Sequence, residues 1–250
     1  MPDTSGPDTS GPDTSGPDTS GPDTSGPDTS GPDTSRLEAR GITVSFGRHR
    51  VLDGASLSVP RGEVLGLAGP SGCGKSTLAR VLALLLKPAA GTVTVDGRAV
   101  TGWRHRAPQR TAIGLIFQQP RLAVDPRFTL FDVIAEPLRA ARRPLDRAHE
   151  LAEELGLTPE LFGRRPHEVS DGQLQRACVA RALTLEPRYL ICDEMTTMLD
   201  ASTQAHLVGR IEAYRERTGA GVLAISHDAE LLHRWTAGNV RDWDRTPSPA

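Results

Sequence analysis

GPSGCGKS, residues 69–76, is the stretch of this sequence that decides its fold. It fits the pattern G-x-x-x-x-G-K-[ST], in which glycines let successive backbone N–H groups converge on phosphate oxygens. An apolar strand pattern at 64–68 precedes it and a helical pattern at 78–86 follows, so a helix directs its positive end at the same anion. Lys75 can then reach the β and γ phosphates, and the Ser76 hydroxyl can coordinate Mg²⁺. The loop alone predicts nucleotide binding of the kind that GTPases, kinases and many ATPases share.

YLICDE, residues 189–194, is the second signal. Four apolar residues that end in an aspartate predict a buried strand delivering Asp193 beside the phosphate loop, where it can hold Mg²⁺. Glu194 follows at the mouth of that site and can take a proton from an attacking water, which is worth about 10²- to 10⁴-fold in rate. An isolated pair of acids at an exposed strand end is common. Here the pair follows four apolar residues in a chain that also carries a phosphate loop, so the interpretation as an exposed strand end without function is the weaker one.

The rest of the chain alternates strand and helix patterns. Half-buried antiparallel strands are predicted at 42–46 and 51–59, a strand and turn at 92–97, and buried strands at 112–117, 189–192 and 222–225. Helices are predicted at 173–185 and 203–217. Short helices broken by Pro137, Pro144, Gly156 and Pro159 are predicted across 129–165, so that 129–186 forms a helical insertion. This order predicts an α/β fold with a mostly parallel sheet covered on both faces.

The first 35 residues follow a different rule. From Pro2 the unit PDTSG repeats six times and a last PDTS ends at Ser35. This tail has no apolar side chain after Met1, so it cannot offset its ordering entropy, and we predict that it is disordered. A period of five excludes a collagen helix. An expanded DNA repeat without function is the favoured interpretation over a tethering role, and residues 36–250 form the second, globular domain.

Charge and cysteines exclude several classes of protein. The formal net charge of -2 includes seven aspartates in the tail, which leaves +5 for residues 36–250. That balance is too mild for nucleic-acid binding, and we expect no nucleic-acid partner. Cys73, Cys178 and Cys192 are not spaced as metal ligands and fit a reducing cytosol. The N-terminus has no secretory pattern, and the longest apolar run, 81–86, is too short to span a membrane.

Further motifs follow in a fixed order along the chain. They are Gln118 after IGLIF, VSDGQ at 169–173 followed by LQRACVARAL, Leu199-Asp200, and Ser226-His227-Asp228. A lone glutamine or histidine is usually a surface or core residue. Several such motifs in a fixed order after a phosphate loop are not expected to occur together by chance. Residues 36–236 resemble the ATP-binding subunit of ABC transporters. The resemblance implies a P-loop NTPase of ABC type, with a mostly parallel core sheet, an N-terminal antiparallel β subdomain and an inserted α-helical subdomain.

The resemblance also implies a role for each matched residue, with ATP and Mg²⁺ as cofactors. Glu194 polarises the attacking water, His227 contacts the γ-phosphate, and Lys75 binds phosphate. Gln118 contacts metal and water, so the metal set is Ser76, Gln118 and Asp193. The predicted nucleotide-binding residues of this chain's own site are Phe46, which stacks on adenine, with Gly69, Pro70, Ser71, Gly72, Cys73, Gly74, Lys75, Ser76, Thr77 and Asp193. Those that complete the ATP site of a second subunit, placed head to tail, are Ser170, Gly172 and Gln173.

Two residues depart from the family pattern. Asp171 replaces the first glycine of LSGGQ, and a carboxylate beside a γ-phosphate would repel it unless the side chain points away. We expect the turn to tolerate Asp171 because the backbone and Ser170 carry the contact. A much faster Asp171→Gly variant would contradict this. Met195 stands where the family usually has proline, and little is expected from it because Asp193, Glu194 and Asp200 keep their spacing.

FQQPRLAVDPRFTLFDVIAEPL, residues 117–138, is the most branch-specific stretch. It resembles the segment after the corresponding glutamine in ATPases of peptide and nickel importers, and Pro-His-Glu before the signature and LQR after it agree. The resemblance implies a subunit that powers import from the cytoplasmic face of the cell membrane as a peripheral protein. Its implied partners are two membrane permease subunits, a second ABC ATPase in a homodimer or heterodimer, and an extracytoplasmic substrate-binding protein.

Two other functions stay open at this point. A soluble ABC ATPase acting on nucleic acid or ribosomes usually carries two cassettes, a long coiled-coil insertion or basic arms, which this sequence lacks. A catalytically impaired regulatory partner of a heterodimeric pair is the other alternative. Asp171 favours it, whereas Lys75, Asp193, Glu194 and His227 argue against it.

Overall fold

A computed structural model describes residues 35–103, 108–195 and 199–243 of the chain. The disordered tail is predicted for residues that, apart from Ser35, lie outside these ranges. The described residues form two β-sheets and a set of helices. No helix in the described ranges combines the length and the apolar character needed to cross a membrane.

The first sheet is antiparallel. It contains β1 (Arg36–Phe46), β2 (His49–Pro60), β4 (Ala90–Val95) and β5 (Arg98–Ala99) in the order β2-β1-β4-β5. Leu37 lies opposite Val59 on one side and Val95 on the other. All three are buried, because alternate side chains of each strand point to the same face of the sheet. The strands predicted at 42–46, 51–59 and 92–95 lie within this sheet, and β1 begins six residues earlier than predicted.

The second sheet is parallel in every pairing of its described strands. It contains β3 (Val64–Ala68), β6 (Ile113–Ile116), β7 (Tyr189–Asp193), β8 (Gly221–Ile225) and β9 (Val240–Asp242), in the order β6-β7-β8-β3-β9. Successive residues of β7 enter different cores: Leu190 packs in one apolar cluster and Ile191 in the other. The carboxyl ends of β3, β6, β7 and β8 meet at one edge, where open α/β sheets place their ligands.

Helices connect these strands along the chain. They are α1 (Lys75–Leu82) after β3, α2 (Leu130–Ala140), α3 (Asp146–Glu154), α4 (Pro159–Phe162) and α5 (Asp171–Leu183) between β6 and β7, α6 (Ala201–Thr218) after β7 and α7 (Ala229–Trp235) after β8. Short segments such as α7 and β9 carry too few residues for a periodic signal, so they are not predicted from the sequence.

The ends of α5 and α6 lie within two residues of the prediction, but the helices differ from it more in two other places. α1 ends at Leu82 rather than at residue 86, because Leu84 adopts a left-handed backbone with φ 59°. That backbone costs about 1–2 kcal/mol, and burial of the Leu84 side chain offsets it by about 2 kcal/mol. Pro137 was predicted to break a helix, yet it lies inside α2. A capping box between Thr129 and Asp132 and a buried apolar face stabilise α2 despite the hydrogen bond that Pro137 cannot donate.

Candidate functional site

The loop between β3 and α1 encloses its own lysine. Lys75 is 4% exposed, and its Nζ donates hydrogen bonds to the carbonyl oxygens of Gly69, at 2.6 Å, and Pro70, at 2.8 Å. The Cys73 sulfur lies 3.8 Å from the same nitrogen. Gly74 begins the helix with φ 103°. The loop therefore surrounds a buried positive charge and leads directly into a helix N-terminus, which suits a phosphate group.

Gly74→Ala is expected to destabilise the protein more than Gly72→Ala. Both glycines have left-handed backbones, which cost an alanine about 1–2 kcal/mol. A Cβ on Gly74 would also lie 2.8 Å from Leu52 Cδ2 and 3.2 Å from the Val51 carbonyl oxygen, whereas Gly72 faces open space. Forced packing adds about 1–3 kcal/mol. Chemical denaturation of both variants measures the difference, and equal losses would show that the contact with β2 is unimportant.

The carboxylate of Asp193, at the end of β7, lies beside the loop. The Ser76 hydroxyl donates a hydrogen bond to Asp193 Oδ1 at 3.1 Å. Burial raises the pKa of Asp193, the bond from Ser76 opposes that rise, and the charge of Glu194 adds to it. An anion that is costly to bury is stabilised by a nearby cation. One carboxylate with one hydroxyl fits Mg²⁺, which keeps several waters and takes its other ligands from phosphates.

Glu194 is the point where three loops meet. Its own backbone has φ 46°, and its N–H donates to the carbonyl oxygen of Ile225, the last residue of β8, at 2.9 Å. Gln118 Nε2, beyond β6, donates to Glu194 Oε2 at 2.8 Å. His227 Nδ1, beyond β8, lies 3.4 Å from the same oxygen. Since β6, β7 and β8 are neighbours in one parallel sheet, residues far apart in sequence converge on a single carboxylate.

A cavity of about 340 Å³ opens between the loop and Glu194. The lining residues predicted from sequence are Ser71, Gly72, Gly74, Lys75, Ser76, Thr77, Gln118 and Glu194. Val51, on β2, also lines it and was missed, because an apolar residue in a strand gives no signal beyond core packing. Phe46, predicted to stack on adenine, is 52% exposed at the end of β1 and lies outside this lining.

The signature residues form a separate feature at the start of α5. Ser170 caps the helix: its hydroxyl accepts from the Gln173 N–H at 3.2 Å, and the Gln173 side chain accepts from the Ser170 N–H at 2.9 Å. Ser170, Gly172 and Gln173 lie outside the lining of the chain's own cavity. The Asp171 carboxylate accepts a hydrogen bond from Arg121, a residue that the sequence analysis did not single out.

The remaining motif residues surround β7 and α6. Met195 is buried, and its carbonyl oxygen accepts a hydrogen bond from Gln175 at 3.0 Å. Asp200 caps α6 by accepting from the N–H groups of Ser202 and Thr203. Residues 196–198, between Met195 and Leu199, lie outside the described ranges.

Comparison with known proteins gives consistent results. A family model described as ABC transporter matches residues 52–197. The oligopeptide transport ATP-binding protein OppF of Salmonella typhimurium is 40% identical over 194 residues, covering 73% of this chain, and AppF of Bacillus subtilis is 38% identical, covering 74%. The aligned segments make up 57% and 59% of the lengths of those two relatives.

A solved structure shares the architecture. It is a dimeric ATP-binding cassette in a post-hydrolysis state bound to ADP and Pi, with a TM-score of 0.73 and 26% identity over 84% of this chain and 94% of that one. The fold class predicted from the motifs is confirmed, as is the resemblance to ATPases of the peptide importer branch. The family match covers more than half of the sequence and includes the phosphate loop and both carboxylates, so the chain belongs to the ABC transporter family.

Proposed function

We propose that this chain binds and hydrolyses ATP to power an importer of peptides. The observation that carries the proposal is the convergence of Lys75, Ser76, Gln118 and Glu194 on one cavity. Asp193 lies behind this lining, where it accepts a hydrogen bond from Ser76. A buried cation, a hydroxyl–carboxylate pair and an oriented carboxylate are the groups that phosphate-anhydride hydrolysis requires. The sequence resembles importers of peptides and of nickel, and we favour peptides as the substrate because OppF and AppF are named for oligopeptide transport.

The proposed chemistry divides among these side chains. Lys75 and the amides of the loop hold the phosphates, while Ser76 and Asp193 would hold Mg²⁺ through oxygen atoms. When bound, the metal would neutralise charge that develops on the phosphate oxygens. Glu194 accepts the proton of the attacking water, and Gln118 and His227 orient its Oε2 oxygen.

The first proposed partner is a second ABC ATPase subunit, and the lining of the chain's own cavity gives one reason for it. Ser170, Gly172 and Gln173 lie outside that cavity, which supports their proposed role in the ATP site of a second subunit, and the similar solved cassette is a dimer. We propose two membrane permease subunits and an extracytoplasmic binding protein as the other partners. The chain would then be a peripheral protein at the cytoplasmic face of the membrane.

Purification of the affinity-tagged full chain from detergent-solubilised membranes tests this assignment. Mass spectrometry should find two integral membrane proteins and an ABC ATPase subunit with it, and the complex should release phosphate from ATP in Mg²⁺ but not in excess EDTA. Co-purification with ribosomes would instead favour a non-transport ATPase. ATP binding with no phosphate release would favour a catalytically impaired partner.

A further inference from the structure

Arg121 joins the segment after Gln118 to the signature turn. It lies in a short 3-10 helix, Pro120–Leu122, three residues beyond Gln118. Its Nε donates to Asp171 Oδ1 at 2.7 Å, its Nη1 to the Pro166 carbonyl oxygen at 2.7 Å and its Nη2 to the Val169 carbonyl oxygen at 3.2 Å. One guanidinium therefore binds both the backbone that leads into α5 and the acid in its first turn.

This contact concerns charge and orientation more than folding. The Arg121 and Asp171 side chains are 45% and 47% exposed, and exposed ion pairs add little to the free energy of unfolding. The bonds to two carbonyl oxygens nevertheless fix the guanidinium, since a planar fork loses little freedom once it is held at several points. The Asp171 carboxylate is thus turned toward a positive charge that is held in place.

We propose that Arg121 is a positioning residue for the ATP site that the signature turn completes. It neutralises Asp171 and holds its carboxylate aside, so that a second copy's nucleotide meets the Ser170 hydroxyl and the start of α5. This inference rests on the proposed dimer. It also explains how the turn accommodates an aspartate where the family pattern has glycine. Because Arg121 follows Gln118 so closely, it links the turn to the loop that contacts Glu194.

A neutral substitution separates compensation of the Asp171 charge from a role in which Arg121 only holds the backbone of the turn by hydrogen bonds. Arg121→Gln removes the charge but keeps an amide that can donate to the carbonyl oxygens, so Asp171 would face the nucleotide uncompensated. Asp171→Asn then removes the repulsion and should restore binding in the double variant. If Arg121 only braced the backbone, Asp171→Asn would restore nothing. Arg127→Gln is the matched control, since Arg127 pairs with Asp125 in the same segment and is more exposed.

The measurement is ATP-dependent dimerisation of the full chain by sedimentation, in a Glu194→Gln background that slows hydrolysis. Arg121→Gln should raise the ATP concentration for half-maximal dimerisation about tenfold. The Asp171 carboxylate and the nucleotide phosphates would then lie a few ångströms apart, which is within the Debye length, so salt would screen their repulsion only weakly. Adding Asp171→Asn should return it to within about twofold of the parent. Arg127→Gln should leave it unchanged.

The possible outcomes separate the role of Arg121 from the existence of an ATP site shared between two subunits. If the Glu194→Gln parent forms no ATP-dependent dimer, the shared site is wrong and the role of Arg121 falls with it. If the parent dimerises and Arg121→Gln has no effect, only the role of Arg121 is wrong. A tenfold shift that Asp171→Asn does not reverse would also overturn the role, because it would show bracing without charge compensation.

Discussion

Glu194→Gln is expected to lower ATP turnover by about 10²- to 10⁴-fold while ATP still binds. Glutamine keeps the shape of the side chain, and its Oε1 can still accept the hydrogen bond from Gln118, so the loop geometry should persist. It cannot take a proton from water. Phosphate release by the purified full chain measures the loss, and equilibrium titration with labelled ATP measures retained binding.

Glu216→Gln is the matched control for this variant. Glu216 lies on α6 with a side chain that is 69% exposed, so the same chemical change there should leave turnover unaffected. Turnover of Glu194→Gln equal to that of the parent would show that another group accepts the proton. Loss of turnover together with loss of ATP binding would instead assign Glu194 to the binding of nucleotide.

Lys75→Met is expected to weaken ATP binding about 10- to 100-fold. A hydrogen bond to a charged group contributes about 1.5–3 kcal/mol, and each 1.4 kcal/mol is a factor of ten in affinity. Methionine fills much of the buried volume of the lysine stem but supplies no charge to phosphate and no donor for the carbonyl oxygens of Gly69 and Pro70. Titration with labelled ATP gives the dissociation constant.

The control for this substitution is Lys87→Met, because Lys87 is the chain's only other lysine and it is exposed. The affinity of the Lys87→Met protein for ATP should match that of the parent. Thermal unfolding of both variants shows whether Lys75→Met also loosens the loop. An unchanged ATP affinity in a folded Lys75→Met protein would mean that the backbone amides alone hold the phosphates.

Sequence patterns predicted the core of the site because its signals are local. The loop at 69–76 is one contiguous turn, and the Asp193–Glu194 pair follows directly from a buried strand. The same reasoning misplaced the end of α1 and expected a break at Pro137. At both positions long-range burial outweighs a local preference, and single-sequence patterns do not report what a side chain packs against.

Other residues at or near the site could be identified only from the tertiary structure. Val51 reaches the cavity because β2 lies beside the loop, and nothing near it in sequence indicates that contact. Arg121 and Asp171 are 50 positions apart, and each alone reads as an ordinary surface charge. Their hydrogen bond is the finding that bears most directly on the departure from the family's signature motif.

The sequence by itself determined the nucleotide loop, the buried strand that ends in two acids, and the family to which both belong. These depend on residues that are neighbours along the chain, where spacing dictates geometry. Tertiary structure alone decided that Gln118 and His227 meet on one oxygen of Glu194 and that Arg121 holds Asp171. The order of parallel strands and the docking of α5 set those distances, and both depend on the packing of the whole domain.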